Sequence, residues 1–506
     1  MSWHVRWALP ALCALVFALA LTGVRANGDC REYVLMARAF AIHATPDIRK
    51  DDVAWLVRTE PFLGRVVPAE RLADDSVPET IPHLSRSASG RYYSLHFWLY
   101  SLLAAPFVWV TDALGVRPLL ALCALNACAA SALIAYLLLF FRGTVTQFLA
   151  PLLFLSSGVL FYLHWPGPEV LTAACVLVAT LSALRGDLGV GMLAAGVAAA
   201  QNPSAAGVSL LVIGHWVALR FGWLSAPFEG ARAVPLGRRQ LGLVAGSVAV
   251  LLLPYAFFQA TFGLPSLIAR VATRSELIGF DRAWSLLFDL NQGLFPGMPG
   301  LLLAFLLLAA LGYAGHLPGR RDHLLFRGAL VVAAFSVMLV PTLSIENWNS
   351  GGIVVHRYCT WLSMPFLGAV LTILPRLRPL TQRYVAGIFA VAQACVLATN
   401  GLSAEPTLYL QHGTLARYVL ERWPSQYNPI PEIFTERTLG REVQPRPDQI
   451  VIWPRSAPPR KILVHETRPL TVTRGCPPDQ VVVGANELPL KDGWRYVDAP
   501  FRCTAP

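Results

Sequence analysis

Between Arg117 and Arg142 the chain reads PLLALCALNACAASALIAYLLLFF, 24 residues with no Asp, Glu, Lys, Arg or His. About 20 apolar helical residues cross the roughly 30 Å of bilayer hydrocarbon, so this stretch is long and apolar enough to span it. Outward from it, further apolar runs lie at 7–24, 94–113, 145–164, 169–184, 188–201, 205–219, 241–263, 296–314, 324–343, 359–375 and 384–401. Composition agrees: 55% of the 506 residues are hydrophobic and 14% charged, where a soluble globular chain carries about 25% charged residues. A soluble enzyme of this size is excluded. The expected fold class is an all-α polytopic membrane protein.

Basic residues number 41 against 30 acids, for a net charge of +11. On such a chain they mark loops that face the cytoplasm, and no interleaving of bases with aromatics points to nucleic acid. The basic connectors are Arg142; Arg185; Arg220, Arg232, Arg238 and Arg239; Arg320 and Arg321; and Arg376, Arg378 and Arg383. They share one side only if an odd number of crossings separates the first loop from Arg142. The run at 94–113 is therefore expected as an interfacial or re-entrant helix, leaving about 11 transmembrane helices and an inside N-terminus. The run at 7–24 is read as an uncleaved first span, although Val24-Arg25-Ala26 resembles a cleavage site. Residues 25–117 form a large first outside loop, with amphipathic helices on the membrane surface at Glu32–Ala44 and Asp51–Val57.

Residues 1–401 thus make the membrane portion, and 402–506 a small β-rich extramembrane domain of α+β type on the outer side. Strands are expected at Gln449–Trp453, Lys461–His465, Leu470–Thr473 and Gln480–Val483, separated by Pro/Gly/Asp clusters. Cys476 and Cys503, in that outside tail, could form a disulfide. No His/Cys/carboxylate spacing supports a metal site. P-loop, dinucleotide and Gly-x-Ser-x-Gly signatures are missing from the sequence, and Gly189-x-Gly191 reads as helix packing.

Three polar constellations interrupt the apolar chain. Gly28-Asp29-Cys30-Arg31-Glu32-Tyr33 follows the first span. Asp29 there either caps the helix starting near Glu32 or acts as a general base beside a lipid-borne substrate. His164-Trp165-Pro166-Gly167-Pro168-Glu169 breaks the chain before Glu169 opens the next span. An acid in that first turn complements the helix dipole, and an ionisable group at the edge of an apolar span is a functional candidate. The third runs from Glu346 through Trp348 and Gly351-Gly352 to His356-Arg357-Tyr358. Arg357 enters a helix start, where the dipole disfavours a cation, so an anionic partner is expected. It is either an interface residue flanked by belt aromatics or a phosphate binder whose planar fork matches phosphate oxygens. His83, Arg91 and His96 flank the 94–113 run as interface residues, and Arg91 and His96 are also candidates for substrate binding.

These segments, in this order, resemble the GT-C superfamily of integral-membrane glycosyltransferases, which includes protein O-mannosyltransferases and the lipid A aminoarabinose transferase. The resemblance covers roughly residues 1–400. Gly28-Asp29 with Glu32-Tyr33 looks like the acidic motif of the first outside loop. Tyr93 through Tyr100, before a Pro-broken helix, looks like the segment closing that loop. Pro168-Glu169 is similar to the acidic site after the fourth helix-like run. Trp348 through Tyr358 resembles a Trp…Gly-Gly…Arg-Tyr turn of bacterial members.

The resemblance implies a polyprenyl-phosphate sugar donor, and an envelope glycan, lipid or protein as acceptor. Transfer would take place with inversion on the outer face of a bacterial inner membrane. In those terms Asp29 and Glu169 are the catalytic candidates, Asp29 as base and Glu169 shaping the acceptor side. Arg357 would stabilise the leaving phosphate from the opposite side, with His356, Tyr33, Glu32, Arg91 and His96 in the binding set. Cys30 stands where a second acid often follows the first in that superfamily. A divalent metal therefore stays open but is not supported, and no cofactor is assigned. The alternative is a lipid-linked oligosaccharide polymerase, ligase or flippase, or another polytopic transporter. A polymerase or ligase would favour paired Arg/His in a late loop. A transporter would carry charged or broken helices at mid-membrane, whereas ionisable residues here cluster at span ends.

Overall fold

Five helices among the described residues are long and apolar enough to cross a membrane: Leu119–Phe140, Arg238–Phe262, Arg321–Thr342, Arg357–Arg376 and Pro379–Asn400. The computed structural model describes residues 3–26, 28–60, 72, 74–141, 144–225, 233–315, 317, 321–349, 351–352, 354–402, 405, 407–456, 458–468 and 481–504. The other apolar runs of the sequence fold as shorter pieces. The 145–164 run divides into helix Thr144–Leu155, which contains Pro151, and the tight turn Gly158–Tyr162. Helices Leu188–Gln201 and Val208–Arg220, of 14 and 13 residues, are separated by the turn Pro203–Gly207. At 1.5 Å per residue each is about 20 Å long, short of the hydrocarbon thickness.

The chain divides into two compact units. The first comprises Met1–Ile278, Met298–Glu346 and Arg357–Ala394. In it helix Trp3–Leu21 packs on Leu119–Phe140, and helix Glu169–Arg185 is covered by its neighbours along almost its whole length. Helix Leu188–Gln201 lies against Arg238–Phe262 and Glu169–Arg185. The Gly-x-Gly pair is packing: a Cβ at Gly191 would sit 2.8 Å from the Val212 side chain. Apolar side chains point outward elsewhere, with Leu253 56%, Val340 49% and Val391 65% exposed. A helix apolar on its outer face as well as its inner one is what lipid requires.

Helix Cys30–His43 turns its apolar face to the rest of the protein. It buries Tyr33, Val34, Leu35, Met36 and Ala37 inside the protein, because helix Leu99–Leu114 runs alongside it. Ser101 Oγ donates to the Tyr33 carbonyl at 2.9 Å and Trp109 Nε1 to the Ala41 carbonyl at 3.1 Å. Asp112 accepts from Arg38 at 2.7 Å and from Trp55, in helix Lys50–Thr59, at 3.1 Å. Helix Leu99–Leu114 is thus fastened at both ends to the helices of the first loop. A short hairpin, β1 (Leu84–Arg86) with β2 (Tyr92–Ser94), leads into it.

The second unit comprises Gly279–Gly297, Asn347–His356 and Cys395–Pro506, and so includes two segments that lie before residue 401. Its antiparallel sheet has the order β3-β4-β6-β5, with β3 Val451–Trp453, β4 Lys461–His465, β5 Val481–Pro489 and β6 Trp494–Thr504. The sequence reading found β3 and β4 but not β6. It had also placed no helix over Thr414–Arg422 or Pro431–Leu439. The strand expected at Leu470–Thr473 and Cys476 of the suggested disulfide lie outside the described residues. Trp348 is fully buried here: its backbone N–H donates to Glu432 at 2.7 Å and its indole to Ser285 at 3.1 Å. It is therefore a core residue of this unit, not a belt aromatic.

Candidate active site

The first unit gathers its polar groups where its helices begin. Asp29 precedes helix Cys30–His43 at the capping position, yet its side chain makes no cap hydrogen bond. Instead its Oδ2 accepts from Arg357 Nη1 at 2.8 Å and lies 3.4 Å from His96 Nε2. The capping alternative is thereby overturned: a stronger partner, the guanidinium at the start of the Arg357–Leu362 helix, takes the carboxylate. The expected anionic partner of Arg357 is thus Asp29. Arg357 Nη2 also donates to the Tyr358 hydroxyl at 2.9 Å, and its Nε is buried without a hydrogen-bond partner among the described residues.

Glu32, one helical turn on from Asp29, completes the cluster. Its Oε2 receives the Ser94 hydroxyl at 2.5 Å and His96 Nδ1 at 3.0 Å, while Ser94 Oγ accepts the His96 backbone N–H at 2.9 Å. Ser94 ends β2, so the hairpin carries His96 to the two carboxylates. The Tyr33 ring packs against His96, with centroids 5.3 Å apart, and edge-on to Tyr100 at 5.5 Å. Asp29 is 20% exposed, Arg357 16%, His96 14% and Glu32 2%, so the cluster is sheltered but reachable from outside.

Charge is balanced within this group. Burial works against an ionised Asp29, but the His96 and Arg357 cations outweigh it and hold the carboxyl well below the usual carboxylate range. Burial also works against an imidazolium, yet Asp29 and Glu32 push His96 up to about 9. Two carboxylates thus face two cations. Donor atoms of Asp29, Glu32 and His96 lie within 4.8 Å of one another, close enough to share a metal ion. In the arrangement present, cations fill this role: His96 lies between the two carboxylates and Asp29 accepts from Arg357.

Glu169, the first residue of helix Glu169–Arg185, is buried, and its Oε2 has no hydrogen-bond partner among the described residues. Arg357, Asp29 and Arg25 all act on it electrostatically. Arg25 is wholly buried, with its guanidinium 4.4 Å from the Trp165 ring and 5.3 Å from the Tyr162 ring. The turn between those aromatics and Glu169 is held by Asn126, whose Nδ2 donates to the Trp165 carbonyl at 2.6 Å and whose Oδ1 accepts from Tyr100 at 3.0 Å. Gly167 is required there by space: a Cβ would lie 2.4 Å from both Glu169 Oε2 and Trp165 Nε1.

Of the residues expected from the sequence, Asp29, Glu32, Tyr33, His96 and Arg357 come together, with Glu169 in electrostatic reach. Arg91 does not join them; it is exposed in the β1–β2 turn, and the carboxylate it acts on is Asp47. His356 belongs to the second unit, where its Nε2 donates to the Trp348 carbonyl at 2.8 Å. Ser94, Arg25 and Asn126 went unread. Arg25 carried a signal, a cation just past an apolar run, which the resemblance of Val24-Arg25-Ala26 to a cleavage site obscured.

Fold and site together define a helical protein with membrane-length apolar helices and a charge-balanced cluster at one end of its helical bundle. Comparison with protein-family models, with curated proteins and with solved structures finds no match.

Proposed function

We propose that this chain is a membrane glycosyltransferase that moves a sugar from a polyprenyl-phosphate donor to an envelope lipid, glycan or protein. The observation that carries the reading is the Asp29–Arg357 ion pair, which is partly exposed and sits where apolar helices begin. A carboxylate and a guanidinium at the membrane surface are the two groups such a transfer needs. The leaving phosphate requires a cation as its bond to the anomeric carbon breaks, and the acceptor hydroxyl requires a base.

The contact between them refines the sequence reading, which set base and cation on opposite sides of the reacting carbon. As they stand, each neutralises the other, and Asp29 is too weak a base to draw a proton. A donor phosphate competes for Arg357 through the same planar fork. Once Arg357 turns to the phosphate, Asp29 loses its strongest hydrogen bond and becomes more basic. His96, held by Glu32 and Ser94, keeps Asp29 oriented during that exchange. The hydroxyl proton passes to Asp29 as the acceptor oxygen bonds to one face of the anomeric carbon, and the phosphate leaves from the opposite face with the bonding electron pair on its oxygen, held there by Arg357 swung away from Asp29. Configuration inverts.

The membrane arrangement proposed with it has eleven crossings and an inside N-terminus, the short helices Leu188–Gln201 and Val208–Arg220 crossing where the bilayer thins around them, with the site and the C-terminal domain on the outer face of a bacterial inner membrane. Helix Leu99–Leu114 belongs to the first outside loop in this scheme. Its support is the fastening of Asp112 to Arg38 and Trp55, residues of the loop helices. The test is transfer of labelled sugar from a polyprenyl-phosphate donor in membranes bearing the wild type or Asp29→Asn. Wild-type membranes should transfer and the variant should not; equal transfer by both would refute the assignment.

A further inference from the structure

At the other end of the first unit a second polar feature lies in apolar surroundings. A cavity of about 290 Å³ opens between helices Pro299–Tyr313, Arg321–Thr342 and Met364–Ile373. Its charged lining residues are Arg321, Arg327 and Arg376, with no Asp or Glu in the wall; Asp322, adjacent to Arg321 in sequence, is not among the lining residues. Helix Glu169–Arg185 runs from the candidate active site to Leu184 in this wall, about 22 Å at the helical rise. The span Arg357–Arg376 likewise begins at the Asp29 ion pair and ends in the cavity, about 28 Å on. The two sites therefore lie at opposite ends of one bundle.

The three arginines are not equivalent. Arg327 is locked: its Nε donates to His215 Nε2 at 3.2 Å and its Nη2 to the Ser225 carbonyl, while His215 Nδ1 donates to the Ala183 carbonyl at 2.8 Å. Arg321 stacks over the Tyr313 ring at 4.3 Å, and neither it nor Arg376 has an ion pair with a described residue. Arg376 and Arg327 repel one another electrostatically. Like charges gathered beside hydrocarbon are unfavourable unless an anion joins them. The rest of the wall, including Phe305, Leu308, Leu324, Leu325, Val331 and Ile373, is apolar. A free phosphate has no use for such a surface, whereas an acyl chain does.

We propose that this cavity binds an anionic phospholipid of the adjoining leaflet. Its phosphodiester is held by Arg321 and Arg376, Arg327 stands behind them, and one acyl chain lies along the apolar wall. Basic pockets between membrane helices on the cytoplasmic side select such headgroups.

The test is native mass spectrometry of the full chain in detergent, titrated with phosphatidylglycerol, phosphatidylcholine or inorganic phosphate. The wild type should retain phosphatidylglycerol in preference to phosphatidylcholine. Arg321→Gln with Arg376→Gln should weaken that retention roughly fivefold per arginine removed and leave phosphatidylcholine adducts unchanged, which also reports an intact fold. Arg185→Gln, an exposed arginine outside the cavity wall, is the control for diffuse charge and should behave as wild type. Equal phosphatidylglycerol retention in the double variant would overturn the proposal. So would an equal loss in Arg185→Gln, or displacement of the lipid by millimolar inorganic phosphate.

Discussion

Arg357 donates to Asp29 at 2.8 Å although 328 positions separate them in the chain. One residue opens an apolar helix late in the sequence, and the other ends the turn after the first helix. The guanidinium meets the positive end of a helix dipole, with the neighbouring Tyr358 hydroxyl as its other acceptor, and the carboxylate leaves its capping hydrogen bond unmade. Each is held by the other, so a ligand that binds one acts on both.

Substitutions on the two sides of this pair are expected to differ. Asp29→Asn keeps an acceptor for Arg357 but removes the proton acceptor. It should cost about 10²–10⁴ in transfer rate while donor binding persists. Arg357→Ala should weaken both binding and turnover, and Arg357→Lys should restore only part, since Lys lacks the planar fork. Labelled-sugar transfer and donor binding, measured on equally expressed variants, separate the two. Full activity in Asp29→Asn would move the base to Glu32, Asp47 or Glu169.

The parts of this cluster were unequally legible in the sequence. Asp29, Glu32, His96 and Arg357 stood out as ionisable groups at the edges of apolar runs, where solvation alone does not require them. Ser94 and Asn126 did not, because uncharged hydroxyl and amide groups are common in such segments and their value here lies in partners 62 and 26 or more positions away. The same limit explains β6 and the second unit. A strand is recognised by alternation, but the membership of Gly279–Gly297 and Asn347–His356 in that unit depends on long-range packing. Asp289, for example, meets Arg437 at 2.9 Å, a pairing no local pattern announces.

Stability should follow the titration of Asp29 and His96. Asp29 titrates lower in the folded protein than its ordinary 3.8, so its contribution is present above about pH 4 and is lost as pH falls through the lower folded value. His96 is raised from 6.5 to about 9, so its contribution is complete below 6.5 and fades as pH rises through about 9. The melting temperature of purified protein should therefore be highest between about pH 4 and 6.5 and fall towards pH 9. His96→Gln should flatten the alkaline limb. An unchanged alkaline limb in that variant would show that other groups govern it.

Chelation offers a separate check on the charge balance. With His96 protonated between two carboxylates and Asp29 bound to Arg357, a divalent ion must displace both cations to reach its ligands. Transfer is expected to persist after treatment with EDTA. Loss of activity that manganese or zinc restores would hand the stabilising role to a metal held by Asp29, Glu32 and His96.

Gly167→Ala should disturb Glu169 without touching its charge. The added methyl would meet Glu169 Oε2 and Trp165 Nε1 at 2.4 Å, closer than van der Waals contact allows, so one of the two must move. Overpacking of this kind costs about 1–3 kcal/mol. The melting temperature should drop, and if Glu169 shapes the acceptor side, KM for the acceptor should rise more than KM for the donor. Equal changes in both would mark Glu169 as a structural acid alone.

The last expectation concerns the path of the chain through the membrane. Reporter fusions after Arg142, Arg239, Arg321 and Arg378 should all report cytoplasm, and a fusion after Ala404 should report the outside. This depends on helix Leu99–Leu114 not crossing. Its Asp112 is tied to Arg38 and Trp55 of the first-loop helices, which keeps that end in the compartment of those helices. If the helix did cross, every basic connector after it would change sides, against the attraction of arginine for the cytoplasmic face. A periplasmic report at Arg142 would therefore rule out the re-entrant assignment. It would also place Asp29 and Glu169 on opposite faces of the membrane, which no single transfer site could tolerate.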